Sequence, residues 1–318
     1  MIDTKKMVSV VVPVYHNEGS LLELYTRFCK LAEENGLYDF EFIFVDDNSG
    51  DSSYSVLKTI FDTSDKNIKI IRLSKNHGSF NAALAGLSKS KGDCSVIIAA
   101  DLQDPPELIA TMISEWKKGN QVVMAARNSR QDPIITKLFA KIYYKFLRKL
   151  ALKDMPEGGF DFVLIDRKIV NILCETKEKN TSLMGLILWT GFKRSILYYN
   201  RKARPYGKSM WIFTKKLKYF IDSFVAFSFT PIRFMTIIGF IISITGFLYA
   251  IFLMYDRLIN KNLIQGITAL IVIVLFLGGI QLIMLGIIGE YLWRILDETR
   301  KRPVFIIDEY LSKDITNE

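Results

Sequence analysis

Two long runs, residues 234–255 and 263–289, contain no charged side chain. Each exceeds the ~20 residues that carry a helix across the hydrocarbon core of a bilayer, so the rest of the chain must fold around two such helices. The link between them, 256–262, is short, and the pair reads as a hairpin with both flanks on one side. Arg201, Lys202, Arg204, Lys208, Lys215, Lys216, Lys218 and Arg233 precede the hairpin, and Arg294, Arg300, Lys301 and Arg302 follow it. Of basic residues the link holds only Arg257 and Lys261. This asymmetry predicts cytoplasmic termini in a multi-pass protein of the cytoplasmic membrane. Residues 201–218 carry no acidic side chain and interleave Trp211, Ile212 and Phe213 with the cations. That pattern suits an interfacial helix on an anionic leaflet better than a nucleic-acid surface. The net charge of +9 is therefore read as contact with membrane lipid and phosphorylated ligands, with no nucleic-acid partner. The hairpin also offers a surface on which copies of the chain could oligomerise.

The first half of the chain has a different texture. Short β-branched and aromatic runs at 8–14, 40–45, 68–73, 95–100 and 121–126 alternate with helical stretches at 18–35, 52–61, 81–90 and 106–118. A further helical stretch is expected at 133–150, a turn at 155–159 and a strand at 160–165. This alternation predicts an α/β domain, a mostly parallel sheet with helices on both faces. The expected organisation is a cytoplasmic catalytic domain over 1–200, an interfacial segment over 201–232, the hairpin within 233–290 and a cytoplasmic tail over 291–318. Residues 1–7 do not read as a signal peptide. Cys29, Cys94 and Cys174 follow no disulfide or metal spacing.

Ligands of open α/β sheets bind beyond the carboxyl ends of the strands. Here those ends read Pro13-Val14-Tyr15-His16-Asn17-Glu18, Asp46-Asp47-Asn48-Ser49, Asp101-Leu102-Gln103-Asp104 and Arg127-Asn128-Ser129-Arg130. Acids and arginines on one rim suit a divalent cation, a ribose and a diphosphate. A single acidic turn means little, since Asp and Asn also cap helices and fill turns, and Asp104 before Pro105-Pro106 reads equally as a cap. No G-x-G-x-x-G follows the first strand and no G-x-x-x-x-G-K-[ST] occurs, which disfavours dinucleotide oxidoreductases and P-loop nucleotidases.

At these residues the chain resembles glycosyltransferase family 2, in the branch of dolichol-phosphate mannose synthases and bacterial polyprenyl-phosphate (bactoprenol) glycosyltransferases. The likeness runs through PVYHNEGSL from Pro13, VDDNSGD from Val45, ADLQDPPEL from Ala100, GGFDFVLIDR from Gly158, RKARPYGKS from Arg201 and GIIGEYLWRILDETRKRP from Gly286. It implies a GT-A fold and transfer, with inversion, of one sugar from a nucleotide-sugar to undecaprenyl or another polyprenyl phosphate. By resemblance, Pro13, Tyr15 and Glu18 border the base and ribose, with Asp46 or Asp47 on uracil or ribose. Asp101 and Gln103 would hold Mg²⁺ or Mn²⁺, with Asp101 also on the donor. Arg127, Arg130, Arg204, Lys208 and Ser209 would bind donor or acceptor phosphate. Asp161 matches an acidic residue near the acceptor, and Asp101, Asp161 and Arg127 are the catalytic candidates. Where many members have Asp-x-Asp, this chain has Ala99-Ala100-Asp101. Two alternatives remain at this point. A processive polysaccharide synthase would usually show Gln-x-x-Arg-Trp and more spans, and Ala99 leaves room for a non-catalytic nucleotide-sugar sensor or scaffold.

Overall fold

The computed structural model describes residues 5–127, 148, 155–156, 159–176, 178, 181–201, 230–260 and 266–313. Elements are numbered below among those residues. The run KMVSVVVPV alternates nothing: its valines are buried on both faces, as in the centre of a covered sheet. It forms β1 (Lys6–Val14), followed by α1 (Leu21–Glu34), β2 (Tyr38–Asp46), α2 (Ser53–Thr63), β3 (Asn67–Leu73), α3 (Ser79–Ser88), β4 (Cys94–Ile97), α4 (Leu108–Lys117) and β5 (Val122–Arg127). Then come β6 (Phe162–Asp166), α5 (Arg167–Glu175), α6 (Leu183–Trp189), β7 (Arg194–Tyr199), α7 (Thr230–Asn260), α8 (Ile267–Thr299) and β8 (Ile307–Lys313).

The eight strands form one sheet in the order β7-β5-β6-β4-β1-β2-β3-β8. β1 runs parallel to β2 and β4, β2 to β3, and β5 to β7. β6 is antiparallel to β4 and β5, and β8 is antiparallel to β3. The sheet is thus more mixed than the alternation of the sequence implied. On one face Val8, Val10, Val12 and Val14 meet Leu21, Leu24 and Phe28 of α1, with Leu57 of α2 and Met112 of α4 in the same core. α3 packs on the other face so closely that a Cβ on Gly86 would lie 2.4 Å from Val11 Cγ1. Only glycine allows that approach.

Two structural units result, residues 1–223 with 302–318, and residues 224–301. The second holds α7 and α8, whose stretches Ile232–Tyr255 and Phe276–Thr299 are long and apolar enough to cross a membrane. Their large side chains, such as Phe240, Phe247 and Leu282, are exposed. The span expected to end at 289 continues as helix to Thr299, and the tail expected over 291–318 contains β8, which completes the sheet edge beside β3. The inward positions of β8 include Glu309 and Lys313. Glu309 pairs with Lys58 at 2.9 Å, and Lys313 donates to the Ser64 carbonyl at 2.5 Å. The stretches expected at 133–150 and across 202–229 lie outside the described residues, apart from Arg148.

Candidate functional site

Three strand ends on the carboxyl rim turn through a non-glycine residue with positive φ: His16 at 55° after β1, Asn48 at 56° after β2 and Leu102 at 59° beyond β4. Asn tolerates this region, whereas a buried Leu adopts it at a cost that its surroundings must offset. Leu102 is held in the core, and the turn it makes presents Asp101 and Gln103 at the rim. The Gln103 N–H donates to Asp101 Oδ1 at 3.2 Å.

Asp101 belongs to a cluster of charged groups. Arg201 Nη2 lies 3.7 Å from Asp101 Oδ2, and Arg201 Nε lies 3.2 Å from Asp104 Oδ1. Asp104 also accepts from the Tyr199 hydroxyl. Arg127 pairs with Asp161. The sheet registers explain the meeting: Arg127 stands opposite Tyr199 in the β5–β7 pair, and Ala125 stands opposite Phe162 in the β5–β6 pair, which puts Asp161 beside the end of β5. Burial opposes the charge on Arg127, but Asp161 and Asp104 outweigh it and hold the guanidinium protonated more firmly than usual. Burial pushes the Asp104 carboxyl up against the pull of Arg201 and Tyr199. The Tyr199 hydroxyl is pushed up by burial and by Asp104.

On the β1–β2 side, the turns interlock. The N–H groups of His16 and Asn17 donate to Ser49 Oγ and Ser53 Oγ at 3.2 and 2.8 Å. Exposed Glu18 accepts from the Ser52 N–H at 2.8 Å. Pro13 and Tyr15 are half-buried. Asp46 is wholly buried, accepting from Ser49 N–H at 3.2 Å with Arg72 Nε 3.6 Å from its second oxygen. Both oxygens of Asp47 are taken by main-chain N–H groups, His77 at 2.6 Å and Gly78 at 2.8 Å. Ser20 Oγ donates to the Ala100 carbonyl at 2.7 Å and ties this side to the Asp101 turn.

The structure therefore brings Asp101, Gln103, Arg127 and Asp161 to one rim with the Tyr15–Glu18 and Asp46–Asp47 turns beside it. Arg130, Arg204, Lys208 and Ser209 lie outside the described residues. Two members of the cluster escaped the sequence reading. Tyr199 ends a strand that the reading did not find, and Arg201 was grouped with the cations of the interfacial segment. Asp104 is not a cap: α4 starts at Leu108 after Glu107 with no side-chain cap, and the Asp104 carboxylate turns into the cluster instead.

A hard divalent cation takes oxygen donors, and magnesium usually combines one or two carboxylates with water and substrate phosphate. Asp101 and Gln103 supply such oxygens, and Asp104 Oδ2 is a buried oxygen without a hydrogen-bond partner. Among the described residues no three His, Cys, Asp or Glu side chains gather into a metal-holding group. The donor set thus fits an ion whose shell is completed by a ligand rather than one enclosed by protein.

Residues 9–173 match the family described as glycosyl transferase family 2. The chain is 38% identical over 302 residues to the uncharacterized glycosyltransferase YkcC of Bacillus subtilis, covering 95% of this chain and 93% of that protein. It is 33% identical to a prophage bactoprenol glucosyl transferase homolog of Escherichia coli, covering 94% and 98%. It is 32% identical to the bactoprenol glucosyl transferase of Shigella phage SfX over the same shares. With the family match over residues 9–173 and these relatives matched nearly end to end, the chain belongs to glycosyl transferase family 2, in the branch that holds the bactoprenol glucosyl transferases, and is a glycosyltransferase.

Proposed function

We propose that this glycosyltransferase moves one sugar, a hexose or N-acetylhexosamine, from a uridine-diphosphate donor to a polyprenyl phosphate at the cytoplasmic membrane face. The observation that carries the reading is the rim itself, where Asp101, Arg127, Asp161 and Arg201 converge beside the interlocked β1 and β2 turns. The named relatives and the two apolar helices support a lipid-linked acceptor. Of the sugars, glucose is the first to test, because these relatives are named for it.

The chemistry needs little acid–base help. The second pKa of a phosphate monoester is about 6, so the acceptor is largely dianionic at neutral pH. One of its oxygens attacks C1 of the sugar in line, the C1–O bond to the donor diphosphate breaks, and configuration inverts. The task left to the protein is to hold two anions together and steady the departing one. Mg²⁺ or Mn²⁺, held by Asp101 and Gln103, would supply charge neutralisation on the diphosphate. Arg127 gives a fixed positive charge, since its pair with Asp161 both orients the guanidinium and keeps it protonated. Asp161 acts in orientation, without taking a proton. Arg130, Arg204, Lys208 and Ser209 add further phosphate contacts in this reading.

A panel of nucleotide-sugars with a short-chain polyprenyl phosphate, followed by lipid extraction, tests the proposal. One sugar per lipid is expected. A growing polymer would make the chain a processive synthase, and no turnover with any donor would leave it a sensor. The topology is separately testable: a cysteine introduced at Asn260, the end of α7, should be labelled only from outside the cytoplasm. Labelling from the cytoplasm alone would reverse the hairpin.

A further inference from the structure

The Asp46–Asp47 turn is backed by a part of the chain that is distant in sequence. α8 ends at Thr299, and the chain then rejoins the sheet as β8 (Ile307–Lys313), antiparallel to β3. The pairing is regular from Ile68 opposite Lys313 to Arg72 opposite Glu309. It then slips, so that Leu73 faces Ile307 and Asp308 is left over. An extra residue of this kind bends the strand and re-aims the side chains beside it. Here it falls at Arg72, whose Nε lies 3.6 Å from Asp46 Oδ2 and whose guanidinium carbon lies 4.4 Å from the centre of the Tyr54 ring. Glu309, opposite Arg72, pairs with Lys58 of α2 at 2.9 Å. Past the slip, the Ser74 N–H donates to the Ile306 carbonyl at 3.0 Å. A few residues on, the His77 and Gly78 N–H groups take both oxygens of Asp47. Each carboxylate of the turn thus reaches the tail through one intermediate, Asp46 through Arg72 and Asp47 through the loop 74–78. We propose that β8, with its lead-in at Ile306, is a positioning element for the donor. It fixes Arg72 and the loop 74–78, and through them the two aspartates that receive the nucleoside diphosphate. The inference rests on the expectation, given above, that this turn meets the base or ribose of the donor. Coupling of this kind is reciprocal. A seated tail raises nucleotide affinity, and bound nucleotide holds the tail in place by the same factor.

The coupling can be read in the unaltered full chain in detergent, by hydrogen exchange with and without saturating uridine diphosphate and Mn²⁺. Exchange at 46–53, at 74–78 and in β8 should slow, in β8 by about tenfold, within the usual range of coupling between two sites. The turn at 117–121, at the amino end of β5, is the control and should change little. Equal slowing there would mean general stabilisation by ligand. An unchanged β8 beside a slowed 46–53 would mean that the tail only covers the sheet edge. Either result overturns the proposal. Unchanged exchange at 46–53 is a different failure: the turn would not receive the donor, and the inference would fall with that reading. A variant tests the same coupling from the other side. Glu309→Lys sets a like charge against Lys58 and Arg72. By reciprocity it should weaken uridine diphosphate by about three- to tenfold in calorimetry and raise the donor KM in step. The acceptor KM, and kcat at saturating donor, should stay near wild type. Adding Lys58→Glu restores one pair of opposite charges and should recover part of the lost affinity. A Glu309→Lys protein that melted earlier but kept wild-type affinity per folded molecule would show a merely structural tail and overturn the proposal. Should that variant fail to fold, the exchange measurement on the unaltered chain decides.

Discussion

Two buried carboxylate sites in the same sheet differ in how completely they are satisfied. Within the body of the sheet Glu41 accepts from Ser9 Oγ at 2.5 Å, Lys91 N–H at 2.5 Å and Gly92 N–H at 3.2 Å on one oxygen, and from Lys69 Nζ at 2.5 Å on the other. Lys69 and Glu41 are both wholly buried, and Lys69 also donates to the Lys89 carbonyl at 3.0 Å. The chain comes so close here that a Cβ on Gly92 would sit 2.6 Å from Ser9 Oγ. At the carboxyl rim, by contrast, Asp46 Oδ2 and Asp104 Oδ2 are buried without a hydrogen-bond partner. The turns that carry the rim pass through His16, Asn48 and Leu102 at positive φ. A saturated network fixes a fold, whereas incomplete pairing and backbone strain are tolerated where a ligand will be bound. The pair Lys69–Glu41 thus locks the loop 89–92 to three strands, and the rim is left for chemistry.

The largest test of this contrast exchanges one carboxylate in each region. Asp101→Asn should lower kcat on the order of 10²- to 10³-fold, as when one preorganised electrostatic group is removed from a transition state. Its thermal unfolding in detergent should stay close to wild type. Glu41→Gln should do the reverse. It leaves Lys69 charged and buried without its counter-ion, which typically costs about 3–5 kcal/mol, while turnover per folded molecule should stay near wild type. Unfolding curves and initial rates on the same preparations give both readouts. An Asp101→Asn protein that unfolded early and still turned over, or a stable Glu41→Gln protein without activity, would break the comparison.

The sequence carried the central strands and the acidic rim because both are local signals. VSVVVP, FEFIFV and NIKIIRL announce buried strands by their own composition, and Asp101 and Arg127 sit at or just beyond the ends of such runs. What it did not carry depends on pairing across the chain. β7 is a short edge strand whose exposed Ile196 and Tyr198 blur its pattern, and only its parallel register with β5 brings Tyr199 to Arg127. β8 places Glu309 and Lys313 on its inward side, as edge strands often do, so IDEYLSK does not read as a strand. Asp104 was ambiguous for a local reason: Asp before Pro-Pro-Glu suits a helix start as well as a site, and only the burial of its side chain against Tyr199 decides between them. Arg201 resembles the cations that follow it in sequence, and nothing but its ion pairs sets it apart.

Asp47 is the case in which location and saturation disagree, and it offers the finest test. It lies on the rim, in the turn expected to meet the base or ribose, yet both its oxygens are filled by the His77 and Gly78 N–H groups, as those of Glu41 are filled. It differs from Glu41 in that these two partners are neutral amides rather than a lysine. Burial accordingly pushes its carboxyl up to about 6 from an ordinary 3.8, the two N–H groups oppose that, and Asp46 adds to it. The folded state then binds the proton more tightly than the unfolded state does. The stability that Asp47 contributes is fully present below about 3.8 and is lost as pH rises through about 6. An Asp47→Asn variant cannot lose a proton there. Relative to wild type it should therefore gain stability between pH 4 and pH 7, by on the order of 2 kcal/mol, whatever its offset at any single pH. Thermal unfolding of both proteins across that range measures the difference directly. A flat difference would mean that two amide donors satisfy the charge as well as Lys69 satisfies Glu41, and that Asp47 belongs with the locked core of the fold. A rising difference would place a strained carboxylate on the rim, alongside Asp46 and Asp104.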